Sequence, residues 1–255
     1  MLRRLVKRLK DPPLVEVACG FFFTPIARLD PILVGKYWAE QKQGQGFPTT
    51  QLQPPVTDQP SLFVGGAVGP LRCWLISEHE DYVLQIQPDR FYFNWRKREA
   101  GYPHFEGEHG ILAQALEEFG SFTKFLHASV GLSPTPSRIE LAKINLLMNP
   151  KHWTSYSHLT ALLPMLGQLP QITADPSVNL AFVGVRGGFD LQFTMTNAVF
   201  ASDMSPAVQI ETRLMAKDMG TAAPATFAAM NGVANDIFFE TVAEPELSRF
   251  GGVVT

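Results

Sequence analysis

Cysteine is scarce. Two thiols in 255 residues, Cys19 and Cys73, cannot build a disulfide framework. Both lie in apolar, strand-like runs and read as small buried hydrophobes in a reducing compartment. Long apolar runs are missing as well. None reaches the roughly 18–20 residues needed to cross a bilayer, so no membrane span is expected. The first ten residues, MLRRLVKRLK, hold five cations. They lack the apolar stretch of about 7–15 residues that makes a secretory signal, and a cytoplasmic location is expected. Beyond this start, positive charge is thin. The chain is at −3 overall and residues 1–10 contribute +5, so residues 11–255 carry −8. An acidic body is a poor surface for phosphate backbones, whose binding needs clustered Lys and Arg.

Chemical signatures are absent too. There is no Walker-type phosphate loop, no Gly-x-Gly-x-x-Gly, no His-Glu-x-x-His, no Gly-x-Ser-x-Gly elbow and no Cys-x-x-Cys pair. The six histidines do not take ligand spacing. His104 and His109 bracket Glu106 and Glu108, but this reads as a polar loop entering a helix whose early glutamates suit its dipole. No metal, cofactor or catalytic residue is assigned.

What is present is a pattern that occurs twice. Residues 12–24 read PPLVEVACGFFFT and residues 136–148 read PSRIELAKINLLM. Each is strand-like. Each precedes a helix-compatible stretch, then strand-like runs, then a long helical run. In the first copy Asp30 and Pro31 open a helix with Ile32, Leu33, Tyr37 and Trp38 as its apolar face. Residues 44–60 read as a loop, and residues 61–68 as a short edge strand. Residues 71–77, 82–87 and 90–96 form a meander. A helix then runs from about residue 107 to Val130, with Gly131 as its stop. In the second copy residues 138–148 are the strand and 158–166 a short helix broken near Pro164. Residues 178–186 and 189–197 flank Gly187 and Gly188, a hairpin signal. Residues 207–216 are the next strand, and a helix covers about 224–242.

The predicted fold class is α+β: a duplicated β-α-β-meander-α unit whose curved antiparallel sheets grip two long helices. Antiparallel sheet under helix is a stable two-layer solution, and two units can join edges that one would leave unpaired. The element order resembles the helix-grip and TATA-binding-protein-like layouts, a likeness of fold that carries no function. The expected division is a basic N-terminal arm (1–11), a first unit (12–130) and a second (131–255). Leu2, Leu5, Val6 and Leu9 of the arm fall at helical spacing.

Between the meander and the long helix lie the residues with the most specific pattern. Arg90 and Phe91 precede Asn94 and Trp95, then come Tyr102, Pro103, His104 and Phe105. With the early Pro13, Leu14, Val15 and Glu16, and the later Arg138, Ile139, Glu140, Leu141 and Asn145, they carry a resemblance. Over residues 12–150 the chain resembles a sporadically distributed family of prokaryotic proteins with no assigned activity. It departs from that pattern at Lys143, where the family has an aromatic nearby. The resemblance implies no catalytic residue or cofactor. The family's patchy distribution matches that of mobile or defence-associated genes.

Two readings of the motif stand side by side. Strand alternation puts Phe91, Phe93 and Trp95 on one face and Tyr92, Asn94 and Arg96 on the other. In the structural reading the first set is core, Asn94 and Arg96 are solvated or satisfy carbonyls, and Arg138 pairs with Glu140 or Glu16. In the functional reading Tyr92, Asn94, Arg96 and Tyr102, with Arg138 and Glu140, form a recognition face of the aromatic and arginine type. The function expected is binding without catalysis, as a regulator or neutraliser of a protein partner in a mobile or defence-associated system. The alternatives are an enzyme whose site is assembled from distant residues, and a nucleic-acid-binding protein.

Overall fold

The computed structural model describes residues 8–56, 71–99, 101–167, 178–200, 203–217 and 222–254. The fold is α+β, with a large antiparallel sheet. The expected edge strand at 61–68 and the first seven residues of the basic arm lie outside the described residues. Among the described residues, no helix is long and apolar enough to cross a membrane. The chain divides into two compact units that are not contiguous in sequence. Unit A comprises residues 17–141 and 216–227. Unit B comprises 1–16, 142–215 and 228–255.

The elements follow the sequence closely. They are β1 (Arg8–Leu9), β2 (Leu14–Phe22), α1 (Pro31–Tyr37), β3 (Thr49–Gln53), β4 (Arg72–Ile76), β5 (Tyr82–Gln87), β6 (Arg90–Arg96) and α2 (Ile111–Val130). Then come β7 (Arg138–Met148), α3 (Tyr156–Leu162), α4 (Pro164–Gly167), β8 (Asn179–Arg186), β9 (Phe189–Phe200), β10 (Ser205–Lys217), α5 (Ala223–Thr241) and β11 (Val253–Val254). The Asp30 carboxylate accepts from the Leu33 N–H at 2.8 Å, capping α1. Gly131 ends α2 at φ 73°, a left-handed conformation that glycine adopts without steric cost. Gly187 and Gly188, at φ 60° and 84°, make the β8–β9 hairpin turn, which needs positive φ at both positions.

In unit A the strand order is β3-β4-β5-β6-β2-β7. Backbone bonds set β2 antiparallel to its neighbours: Phe23 N–H reaches Asp89 O at 3.0 Å, and Ser137 N–H reaches Phe22 O at 2.8 Å. One face of this sheet carries α2. Phe21 stacks on Phe119 at 4.3 Å, and Phe91 meets Phe122 at 5.2 Å. From α5, Phe227 packs on Phe21 at 5.4 Å. Two expectations are corrected here. The stretch at 44–60 is not all loop, since β3 pairs with β4 from Thr49↔Ile76 to Gln53↔Arg72. A polar sequence becomes a strand because a long-range partner supplies its ladder. In α1 the core side is Val34 and Tyr37, and Ile32 is 83% exposed.

In unit B the strand order is β2-β7-β10-β9-β8, with β2 represented by its first residues. Leu146 N–H donates to Pro13 O and Asn149 N–H to Pro206 O, at 2.8 and 2.9 Å. Val208, Ile210 and Leu214 of β10 and Met195 of β9 are buried, as are Met230, Ala234 and Ile237 of α5. The Lys143 ammonium donates to Asn235 Oδ1 at 2.7 Å. The end of the basic arm is not helical: Arg8 and Leu9 pair with Val254 and Val253.

Candidate functional site

The motif strand β6 lies inside unit A, and both of its faces are covered. Phe91, Phe93 and Trp95 are fully buried on the α2 side. The other face was expected to look outward, and two of its residues do not. Tyr92 is 7% and Asn94 2% exposed. The Tyr92 hydroxyl donates to Glu140 Oε1 at 3.1 Å, and its ring meets the Phe22 ring edge-on at 5.7 Å. Glu140 is 3% exposed. Burial of all three is the physical reason that they cannot form an open recognition face.

Arg96 is half-buried. Its guanidinium lies 4.6 Å from the centre of the Trp74 ring. Arg72 approaches the same indole at 5.2 Å and donates to Gln85 Oε1 at 2.7 Å. Trp74 Nε1 donates to that oxygen too, at 3.1 Å. Gln85 faces Trp74 on one side and Tyr92 on the other in the strand register. An arginine held on an indole gains about 0.5–1 kcal/mol where exposed, and its donor plane is fixed. Tyr102 is not brought to this group. It packs on Trp95 at 5.2 Å and His104 at 5.7 Å, and Trp95 is the neighbour that alternation turns away from Arg96.

Arg138 belongs to a second constellation at the ends of β2, β6, β7 and β10. Its guanidinium lies 3.9 Å from the centre of the Phe22 ring, and that of Arg90 lies 4.6 Å from the same ring. Arg90 grips the carboxylate of Asp89 with two donors, Nε to Oδ1 at 3.0 Å and NH2 to Oδ2 at 2.7 Å. Gln87 adds a third at 2.8 Å. Burial alone would raise the Asp89 carboxyl. The Arg90 and Gln87 hydrogen bonds and the Arg90 charge outweigh it and hold the group below its usual value. Ile26 N–H donates to Pro88 O at 2.8 Å, so the β5–β6 turn is fastened to the chain leaving β2. Between these residues opens a pocket of about 440 Å³. Arg90, Arg138, Lys217 and Asp89 line it together with Phe22 and Pro25.

A smaller pocket of about 300 Å³ lies between α1 and β3–β4, lined by Val34, Trp38, Leu52, Cys73 and Leu75. Burial, with the Asp30 charge, pushes the Cys73 thiol up to about 11, and a thiol held protonated is a poor nucleophile. Both cysteines are buried, and neither is in a disulfide. His152 is buried, and its Nδ1 accepts from the Met148 N–H at 2.9 Å, which is a structural use. Among the described residues, no group of three or more His, Cys, Asp or Glu is placed to hold a metal ion.

The sequence reading missed Phe22, Asp89, Arg90 and Lys217 as members of one site. The available signal was Asp89, the second residue of the Pro88-Asp89 turn, beside Arg90 at the start of β6. Nothing local announces that Arg138 and Lys217 meet them. Compared with family models, with curated proteins and with solved structures, the chain has no match.

Proposed function

We propose that this chain is a binding protein without catalysis. Its recognition surface is centred on Arg96, Trp74 and Arg72 of unit A, and its partner is another protein, which it regulates or neutralises. The observation that carries this is the pair of guanidinium groups stacked on one half-buried indole. Arginine and tryptophan recur at interface hot spots because they give large contact area and directional donors for little lost entropy. Tyr92 lies in register beside that surface, across Gln85 from Trp74. A reducing, cytoplasmic setting suits the two buried thiols.

The scaffold proposed for it is a duplication. In unit A, β2 is followed by α1 and a meander whose last strand, β6, lies beside β2. In unit B, β7 is followed by α3 and a meander whose last strand, β10, lies beside β7. Each meander then leads to a long helix, α2 or α5. This equivalence of order supports two copies of a β-α-β-meander-α unit. Membership of the prokaryotic family that the chain resembles is part of the same proposal. It rests on the motif residues Arg90, Asn94, Glu140 and Asn145 of the sequence.

The test is Arg96→Glu. Partner recovery in an affinity pull-down from the native host should fall sharply. The thermal melt should move only by the equivalent of about 0.5–1 kcal/mol, the worth of the lost stack on Trp74. Unchanged recovery would remove this surface. Loss of recovery together with loss of the fold would make Arg96 structural.

A further inference from the structure

We propose that β8 is an interface between two copies of this chain, where it pairs antiparallel with the β8 of a second molecule across a two-fold axis. The strand lies wholly in unit B. Among the described residues it is the last strand of its sheet and pairs on one side only, with β9. Arg186 and Phe189 close the two-residue turn of that hairpin, so their backbones bond to each other. By alternation, the N–H and C=O groups of Ala181, Val183 and Val185 point away from β9. A row of outward backbone groups is a template for a further strand.

The composition of β8 favours that use. Edge strands are blunted by shortness, charge, proline or a bulge. At the edge of unit A, β3 is five residues long and reads TTQLQ, mostly polar. β8 is eight residues long and reads NLAFVGVR, with no charge or proline before Arg186. On one face Phe182 lies beside Phe193 and Leu180 beside Met195, which continues the core side. On the other face β10 presents Glu211 and Arg213, and β9 presents Thr194, Gln192 and Asp190. Beside these, β8 turns apolar with Ala181, Val183 and Val185, and Val183 is 86% and Val185 71% exposed. The apolar residues thus stand at the edge where a second strand arrives.

The occupant is a second copy because β8 fits itself. A two-fold axis normal to the sheet keeps each face on its own side, so opposed residues must share parity. In the register centred on Val183, that residue faces its own counterpart, Ala181 faces Val185, Phe182 faces Gly184 and Leu180 faces Arg186. Glycine within a strand weakens it and marks close approach of another group. Yet a Cβ added at Gly184 would meet nothing within 4 Å. In the pair, the Phe182 ring of each molecule covers the bare backbone of Gly184 in the other, as aromatics do for edge glycines. Charge agrees. Arg186 is paired with Glu240, and the two Arg186 residues stand about 20 Å apart, at about 3.4 Å per residue. One such edge per molecule closes on one partner, so assembly stops at two.

This interface is independent of the surface around Arg96, which belongs to unit A. Eight residues a side is fewer than the roughly 20–30 of a standard interface, so a Kd of about 10–100 µM is expected. Sedimentation velocity of the full chain, from well below to well above that range, is the experiment. The sedimentation coefficient should rise from that of a monomer to that of a dimer and no further. Val183→Lys sets two ammonium groups directly opposite each other and should weaken the dimer at least about tenfold. Val183→Glu should do the same. An equal mixture of the two variants should recover the dimer, because Lys then faces Glu across the axis. Val183 is exposed, so each variant alone should melt like the wild type. A wild type that stays monomeric throughout overturns the proposal, as does a Val183→Lys variant that dimerises equally well. A mixture no better than its components overturns the pairing through Val183. Species that grow beyond two with concentration would show open edge aggregation and overturn the closed dimer.

Discussion

Lys42 and Glu118 offer the sharpest energetic test of unit A. Lys42 ends the π-helical turn that follows α1, and Glu118 lies on α2. Their charged atoms stand 2.6 Å apart, with side chains only 5% and 17% exposed. Glu118 Oε2 makes no aligned hydrogen bond, so the contact is held by charge. The ammonium also lies about 6 Å from the Tyr37 and Phe47 rings, as 5.9 and 6.0 Å to their centres. Removing one member of a buried pair leaves the other charge uncompensated, at about 3–5 kcal/mol. The two single changes should differ. Lys42→Met strands the carboxylate, which is the more exposed partner, and should cost about 3 kcal/mol. Glu118→Leu strands the deeper ammonium and should cost about 4–5 kcal/mol. Replacing both removes the desolvation of both ions, so Lys42→Met/Glu118→Leu should lie within about 1 kcal/mol of the wild type or exceed it. The coupling energy, the two single costs less the double, is then about 6 kcal/mol or more. Urea unfolding followed by tryptophan fluorescence reads this, preferably in a Trp153→Phe background. The remaining tryptophans, Trp38, Trp74 and Trp95, all lie in unit A. The midpoint should move while the slope stays constant. A double variant as unstable as the sum of the singles would refute the reasoning, as would a Lys42→Met cost below about 1 kcal/mol.

Phe122→Ala should cost unit A about 3–5 kcal/mol, because the ring is fully buried among Phe23, Tyr37 and Phe91. Phe119→Ala should cost less despite its closer stack on Phe21, since Phe119 is only half-buried; equal urea midpoints would contradict that ordering. The lowered Asp89 carboxyl predicts an acid limb. Its stabilisation is fully present above the unfolded carboxylate value of about 3.8 and is lost as pH falls through the lower folded value. The stability gap between wild type and Asp89→Asn should therefore narrow as the solution is acidified from about pH 6 to pH 3, and a gap that stays constant would refute it.

Local signals carried most of the fold. The alternation and flanking turns of β5 and β6 set their ends, and the apolar stripe with its closing glycine set α2. These cues depend on neighbours in sequence. The strand β3 did not announce itself. Thr49, Thr50 and Gln51 have no buried side to alternate, and their pairing partners on β4 lie more than twenty residues away. The site failed to show for a related reason. Alternation correctly set Tyr92 and Asn94 opposite to Phe91, but it cannot say whether the opposite face is covered. Glu140, which closes over Tyr92, lies 48 residues along the chain. Arg138 is as distant from Arg90, and Lys217 is farther still.

How that face closes explains a residue that looked ordinary. In unit A, β2 lies between β6 and β7, so at about 4.8 Å per strand the outer two are roughly 10 Å apart. Tyr92 on β6 nonetheless reaches Glu140 on β7. Its ring must lie flat across the intervening strand, and it does so at Gly20, where an added Cβ would stand 2.5 Å from a ring carbon. Glycine in a strand interior weakens the strand and marks close approach of another group. Here that group is a phenol whose hydroxyl bridges to a buried carboxylate. The backbone at Gly20 needs no special conformation; it needs an empty side-chain position. Three strands are thereby locked in one register by Tyr92, Gly20 and Glu140, since sliding any strand by one residue would turn its contribution to the other face. The same lock sets Phe22, two residues beyond Gly20, between the elements that carry Arg90 and Arg138. The order of the buried face and the position of the cationic pocket therefore have one cause.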